Sequence, residues 1–213
     1  MEITWYGHSC FRLVERGVAS IATDPYDKTI GYGELKFAKT DIVTISHDAP
    51  GHNNVEATKA EVTLAGPGEY EIGGVFITAV AMYNREKLER ASPNLVHIYE
   101  FGNIVVCHLG DLDYVPAQSE IEALGPIDVL LIPVGGAGAL NSSQAVEVIS
   151  LIEPSVVIPM HYATPESKVS GLEGVDRFLH EMGLSAVEPQ DSLKITSTAS
   201  LEETQVVVLN YSH

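Results

Sequence analysis

Residues 129–162 read VLLIPVGGAGALNSSQAVEVISLIEPSVVIPMHY, and this stretch decides the fold class. Val129–Val134 is a continuous apolar run, the pattern of a strand covered on both faces. A turn, Gly135-Gly136-Ala137-Gly138, follows, and Asn141 with Gln144 three residues later forms a capping pair for a helix over Ser142–Ile152. Val156–Met160 is then a second buried strand, ending at His161. A strand, a helix and another strand of this kind make one unit of a parallel sheet.

The same alternation extends both ways. Upstream lie the strand-like Leu95–Phe101 and Ile104–His108 and a helical stretch, Ala117–Leu124, stopped by Gly125-Pro126; downstream lie a helical Val175–Glu181 and a last strand, Thr204–Leu209. The first half is β-rich instead. Ile3–Tyr6, Ser9–Val14, Val18–Thr23, Ile42–Ser46, Val62–Ala65 and Val75–Ala81 are short runs bounded by Gly, Pro, Asp or Asn, and predict a mostly antiparallel sheet. Two sheets packed face to face and flanked by helices on both sides, a four-layer αββα sandwich of the α/β class, is the expected architecture, as one domain over residues 1–213.

Composition narrows the function classes. With 12 basic and 29 acidic residues the formal charge is −17, which repels phosphate backbones and anionic lipid, so the expectation is a small-molecule ligand, with no nucleic acid and no membrane as partner. Met1 runs directly into a strand without a signal-peptide pattern, and no apolar run reaches the ~18 residues of a membrane span, so a cytoplasmic location is expected. Cys10 and Cys107 both sit in apolar strand-like runs and read as reduced, buried thiols.

Chemistry concentrates where strands end. Gly7-His8, the run from His47 through His52 to Asn54, His108-Leu109-Gly110-Asp111 and Pro159-Met160-His161-Tyr162 each follow an apolar run. A metal needs three or four His, Cys or carboxylate donors converging in space, and strand-end loops far apart in sequence supply them on a rigid frame. Gly135 and Gly136 form a candidate anion-binding loop at a helix N-terminus, or simply a tight turn. Arg85, Lys87 and Arg90 are a local basic concentration suited to an anionic ligand if they face the same rim.

The residues Ile3-Thr4-Trp5-Tyr6-Gly7-His8-Ser9-Cys10, Thr23-Asp24-Pro25, Gly66-Pro67-Gly68-Glu69-Tyr70, Cys107-His108-Leu109-Gly110-Asp111, Ile132-Pro133-Val134-Gly135-Gly136 and Ile158-Pro159-Met160-His161-Tyr162 resemble the metallo-β-lactamase superfamily, in its small metal-dependent hydrolase branch that includes ascorbate-6-phosphate-lactonase-like proteins. The resemblance runs nearly end to end. It implies seven metal ligands, of which three are replaced: the hallmark His-x-His-x-Asp-His here reads His47-Asp48-Ala49-Pro50-Gly51-His52, and a later histidine falls at Asn84. His47, His52, Asp111 and His161 remain as the implied metal ligands. His8, Asp24, Asn84 and His108 are implied to stand behind them or on the substrate side, with Asp24 orienting a ligand imidazole.

Such a remnant fits one divalent ion at most, Zn, Mn or Fe, and leaves three functional readings. One is a metal-dependent hydrolase of small esters, lactones or phosphoesters. Another is a non-catalytic ligand-binding or interaction module on the same fold. The third is nucleophilic catalysis by Cys10 with His8, two apart on a strand.

Overall fold

The structure is a computed structural model that describes residues 1–84, 93–198 and 203–212. Five strands come first: β1 (Glu2–Gly7), β2 (Cys10–Val14), β3 (Ile21–Thr23), β4 (Ile42–Thr44) and β5 (Val62–Leu64). Then follow β6 (Gly68–Ile72), β7 (Val75–Met82), β8 (Asn94–Phe101), β9 (Ile104–His108), α1 (Gln118–Glu122), β10 (Val129–Pro133), α2 (Ser142–Ile152), β11 (Val156–Met160), α3 (Val175–Glu181), β12 (Leu193–Lys194) and β13 (Gln205–Val206). They form two mixed sheets, ordered β12-β1-β2-β3-β4-β5 and β13-β11-β10-β9-β8-β7-β6.

This pairing corrects the reading of the first half as one mostly antiparallel sheet. β3, β4 and β5 pair in parallel, and the β6–β7 hairpin joins the second sheet, where β7 pairs with β8 over seven registered positions from Phe76↔Glu100 to Met82↔Asn94. The second half follows its pattern, with β9, β10, β11 and β13 all parallel. The capping pair also holds. Asn141 accepts from the Gln144 amide at 3.0 Å while the Gln144 side chain accepts from the Asn141 amide at 3.2 Å, meeting two amides that the first turn of α2 would leave unpaired.

The inner faces of both sheets share one apolar core. Ile3, Trp5, Phe11, Leu13, Ile21 and Ile42 from the first sheet meet Ile77, Val106, Val129, Leu131 and Ile158 from the second. Tyr99 also crosses the gap, its hydroxyl 2.7 Å from Thr44 Oγ1. The outer side of the first sheet is covered differently from the helical layer expected there. Tyr26, Tyr32 and Leu35 pack on Cys10, and Phe37, Val55 and Ala60 pack on Ala22, Val43 and Ile45, so a loop and a 3-10 turn at Val55–Ala57 do the covering. Cys10 thus lies fully buried under aromatic side chains, and burial pushes its thiol well above the ordinary range, which opposes the reading of Cys10 as a nucleophile. Among the described residues no helix is long and apolar enough to cross a membrane.

Candidate metal centre

Five chain segments meet at one rim of the sandwich. The β1–β2 turn presents His8, the end of β3 presents Asp24, the loop after β4 presents His47 and His52, the loop after β9 presents Asp111, and the residue after β11 is His161. Three of these residues leave their strands through the left-handed region, His8 at φ 51°, Asp24 at φ 39° and His161 at φ 52°. Such backbone is costly for residues other than glycine, and it occurs here where strands turn sharply to aim side chains at one point. The turns are tied together, since the His161 amide donates to the His8 carbonyl at 3.1 Å and the Trp5 indole donates to the same carbonyl at 3.0 Å.

The Asp111 carboxylate is the hub. Its Oδ2 lies 3.2 Å from His52 Nε2 and 3.7 Å from His47 Nε2, and its Oδ1 lies 3.5 Å from His161 Nε2. Asp111 is placed by Asn94, which accepts from the Asp111 amide at 2.9 Å and donates to Leu109 O at 2.8 Å. Gly110 permits that clamp, because a Cβ there would stand 2.5 Å from both Asn94 Oδ1 and Ser46 Cβ. His52 is held from behind, with Asp24 Oδ2 2.8 Å from its Nδ1. Asp24 in turn accepts from Ser46 N at 2.7 Å and Ser46 Oγ at 2.5 Å, so its orientation is fixed by three donors.

The electrostatics follow from burial and proximity. Burial disfavours charge on His52, but the Asp111 and Asp24 carboxylates on either side prevail and pull its pKa up to about 10. Burial likewise opposes the Asp111 charge, and His161 and His52 overcome it, holding the carboxyl well below its usual range. Asp24 is depressed in the same way by His52, against its own burial. His8 is pushed well below the ordinary histidine value by burial and by the neighbouring His161 and His52.

A divalent ion fits this donor set. His47, His52 and Asp111 each offer a ligand atom with all three inside 4.8 Å of one another, and so do His8, His52 and His161. Asp111 Oδ1 and His8 Nδ1 are buried without hydrogen-bond partners, which is costly in a folded chain and calls for a ligand. All but His47 are nearly excluded from solvent; its side chain is 15% exposed and marks the open side.

The remaining sequence candidates fall elsewhere. His108 is fully buried, with Nε2 2.8 Å from Ser9 O and Nδ1 accepting from the Gly110 amide at 3.1 Å, so both nitrogens are spent on the fold. Asn84 donates to Asp113 Oδ1 at 3.1 Å, two residues beyond the hub. The amides of Gly135 and Gly136 donate to His161 O and Leu140 O, at 3.1 and 3.0 Å, and are therefore not free to receive an anion. A Cβ on Gly135 would stand 2.3 Å from the His161 carbonyl, so the turn serves close packing beside the site. Asp48 is exposed and accepts from the Asn53 side chain. Arg85, Lys87 and Arg90 lie outside the described residues. Sequence reasoning missed Ser46 and Asn94; a lone polar residue at either end of an apolar run was the available signal.

Comparison with known proteins bears on this geometry. A family model described as a beta-lactamase superfamily domain matches residues 2–161. A UPF0173 protein of Pyrococcus abyssi is 31% identical over 189 residues, spanning 77% of this chain and 84% of that one. A UPF0173 metal-dependent hydrolase of Thermoplasma acidophilum is 24% identical over 192 residues, with the same shares covered. Among solved structures, that of a candidate Zn-dependent hydrolase of the metallo-β-lactamase superfamily from Thermotoga maritima matches at a TM-score of 0.79 and 34% identity, covering 98% of this chain and 99% of that one.

Proposed function

The chain belongs to the metallo-β-lactamase superfamily, and from that premise we propose that it is a metal-dependent hydrolase working with one divalent ion, held by His52, Asp111 and His161 with His47 at the rim. The Asp111 contacts of 3.2 and 3.5 Å to two imidazole nitrogens carry this reading. Each Asp111 oxygen faces one imidazole nitrogen, Oδ2 that of His52 and Oδ1 that of His161, at close to the ~3.4 Å that separates two donors on a tetrahedral zinc at about 2.0–2.1 Å. Zinc suits the imidazoles, and Mn and Fe suit a set with one carboxylate and open positions.

The ion, when bound, supplies Lewis acidity and a water nucleophile near neutral pH. The chain's own groups divide the rest of the work. Asp24 orients His52 through the ring nitrogen facing away from the hub, and Asn94 fixes the backbone of Asp111. His47, the most exposed imidazole of the set, stands with Nε2 3.7 Å from Asp111 Oδ2 and lines the open side from which a substrate would approach. With Ala49, Gly51 and Asn84 in place of three ligands, no second ion clamps the leaving oxygen, so lactones and activated esters are favoured over phosphoesters. The −17 charge supports a small-molecule substrate rather than nucleic acid or membrane, and the two free, buried cysteines are in keeping with a cytoplasmic protein.

One observation favours the non-catalytic alternative. A protonated His52 between Asp24 and Asp111 neutralises part of the buried carboxylate charge without any metal. Turnover of a panel of aliphatic lactones and p-nitrophenyl esters, with and without chelator, separates the two readings. Chelator-sensitive hydrolysis that Asp111→Asn abolishes supports the enzyme; no turnover in zinc-, manganese- or iron-supplemented protein supports the binding module.

A further inference from the structure

Gly51 stands where the hallmark motif carries an aspartate, and the structure gives a steric reason for the exchange. A Cβ on Gly51 would lie 2.7 Å from His8 Nε2 and 3.1 Å from His8 Cδ2. Real Cβ atoms essentially never stand that close, so a side chain at position 51 would require the His8 ring to move. Gly51 does not adopt a left-handed φ, so its backbone makes no demand for glycine; the His8 ring does.

His8 is in turn held where it is. Its φ of 51° turns the chain out of β1, and its carbonyl is pinned by the Trp5 indole and the His161 amide. The ring is 3% exposed, with its centroid 4.4 Å from that of His161 and 4.9 Å from that of His52. One nitrogen of each of the three rings lies within 4.8 Å of the others, and His8 Nδ1 has no hydrogen-bond partner. A buried ring nitrogen without a hydrogen-bond partner, on an imidazole packed against two others, calls for a ligand.

We propose that His8 is a metal ligand of this chain, its ring filling the room a carboxylate at position 51 would need and forming a three-imidazole donor set with His52 and His161, beside Asp111. This rests on the single-ion reading above and replaces an oxygen donor by nitrogen, which shifts preference toward zinc and other nitrogen-seeking ions.

The test uses zinc alone. Its affinity is measured by competition with a chromophoric chelator, and the imidazole donors on bound zinc are counted by X-ray absorption, in wild type, His8→Asn, Gly51→Asp and the double variant. Asn tolerates the left-handed backbone at position 8, and His8→Gly, which suits that φ still better, stands by should His8→Asn fold poorly. The expected results are a loss of at least ~10-fold in affinity for His8→Asn with one imidazole fewer, on the scale of lost metal-site partners. Gly51→Asp alone weakens binding too, because the carboxylate cannot enter past the ring. The double variant recovers zinc affinity relative to either single one, with the lower imidazole count. Zinc bound by wild type with affinity and count unchanged in His8→Asn overturns this proposal and leaves the single-ion reading standing. A double variant no better than His8→Asn overturns it as well. No zinc on the wild type overturns both.

Discussion

His97 makes acid stability a quantitative test of how this fold is built. It lies on β8 between Ala79 of β7 and His108 of β9, fully buried, with neither ring nitrogen hydrogen-bonded and its ring stacked on Tyr99. Burial lowers its pKa from 6.5 to about 4. In the unfolded chain the ring takes up a proton below 6.5, whereas in the folded chain it does so only below about 4. Between those values the unfolded state binds more protons, so stability falls as pH falls. At about pH 5 the unfolded ring has been gaining for roughly 1.5 pH units at about 1.4 kcal/mol each, which amounts to about 2 kcal/mol. His97→Leu keeps a side chain of similar bulk, removes the titration and removes two unpartnered polar atoms. Urea unfolding of chelator-treated wild type and variant, at pH 7.5 and pH 5, reports the contribution of His97 together with its repulsion from the neighbouring His108. The variant is expected to lose about 2 kcal/mol less than wild type between the two pH values. Equal losses in the two proteins would refute the argument.

Two further outcomes follow from the site. Asp24→Asn removes the carboxylate behind His52 and is expected to weaken zinc binding about 10- to 100-fold in chelator competition, while Asp48→Asn, at an exposed position bonded to Asn53, leaves it unchanged. Gly135→Ala places a methyl 2.3 Å from the His161 carbonyl, a backbone atom that cannot step aside alone, so thermal unfolding should report a loss of about 2 kcal/mol or more.

The legible parts of the fold were those whose information is local. Val129–Pro133, Ser142–Ile152 and Val156–Met160 carry continuous burial or a helical period between clear caps, and the structure matches them to within a residue. Gly68–Ile72 was missed as a strand because, as the outer edge of its sheet, it carries Glu69 and Glu71 on an exposed face and is stabilised chiefly by pairing with β7. The assignment of that hairpin to the second sheet depends on contacts with β8, which no local pattern encodes. At the site, strand-end histidines could be read as converging. The Asn94 clamp on Asp111 and the exclusion of a side chain at Gly51 by His8 could not, because each is a contact between segments more than ten residues apart.

Metal stoichiometry shows whether His52, Asp111 and His161, with His47 at the rim, hold one ion. Tag-free protein incubated with Zn²⁺, Mn²⁺ or Fe²⁺, desalted and analysed by inductively coupled plasma mass spectrometry, should retain about one ion per chain and lose it in Asp111→Asn. A wild type that retains none of the three, or an ion count unchanged by Asp111→Asn, would contradict the account.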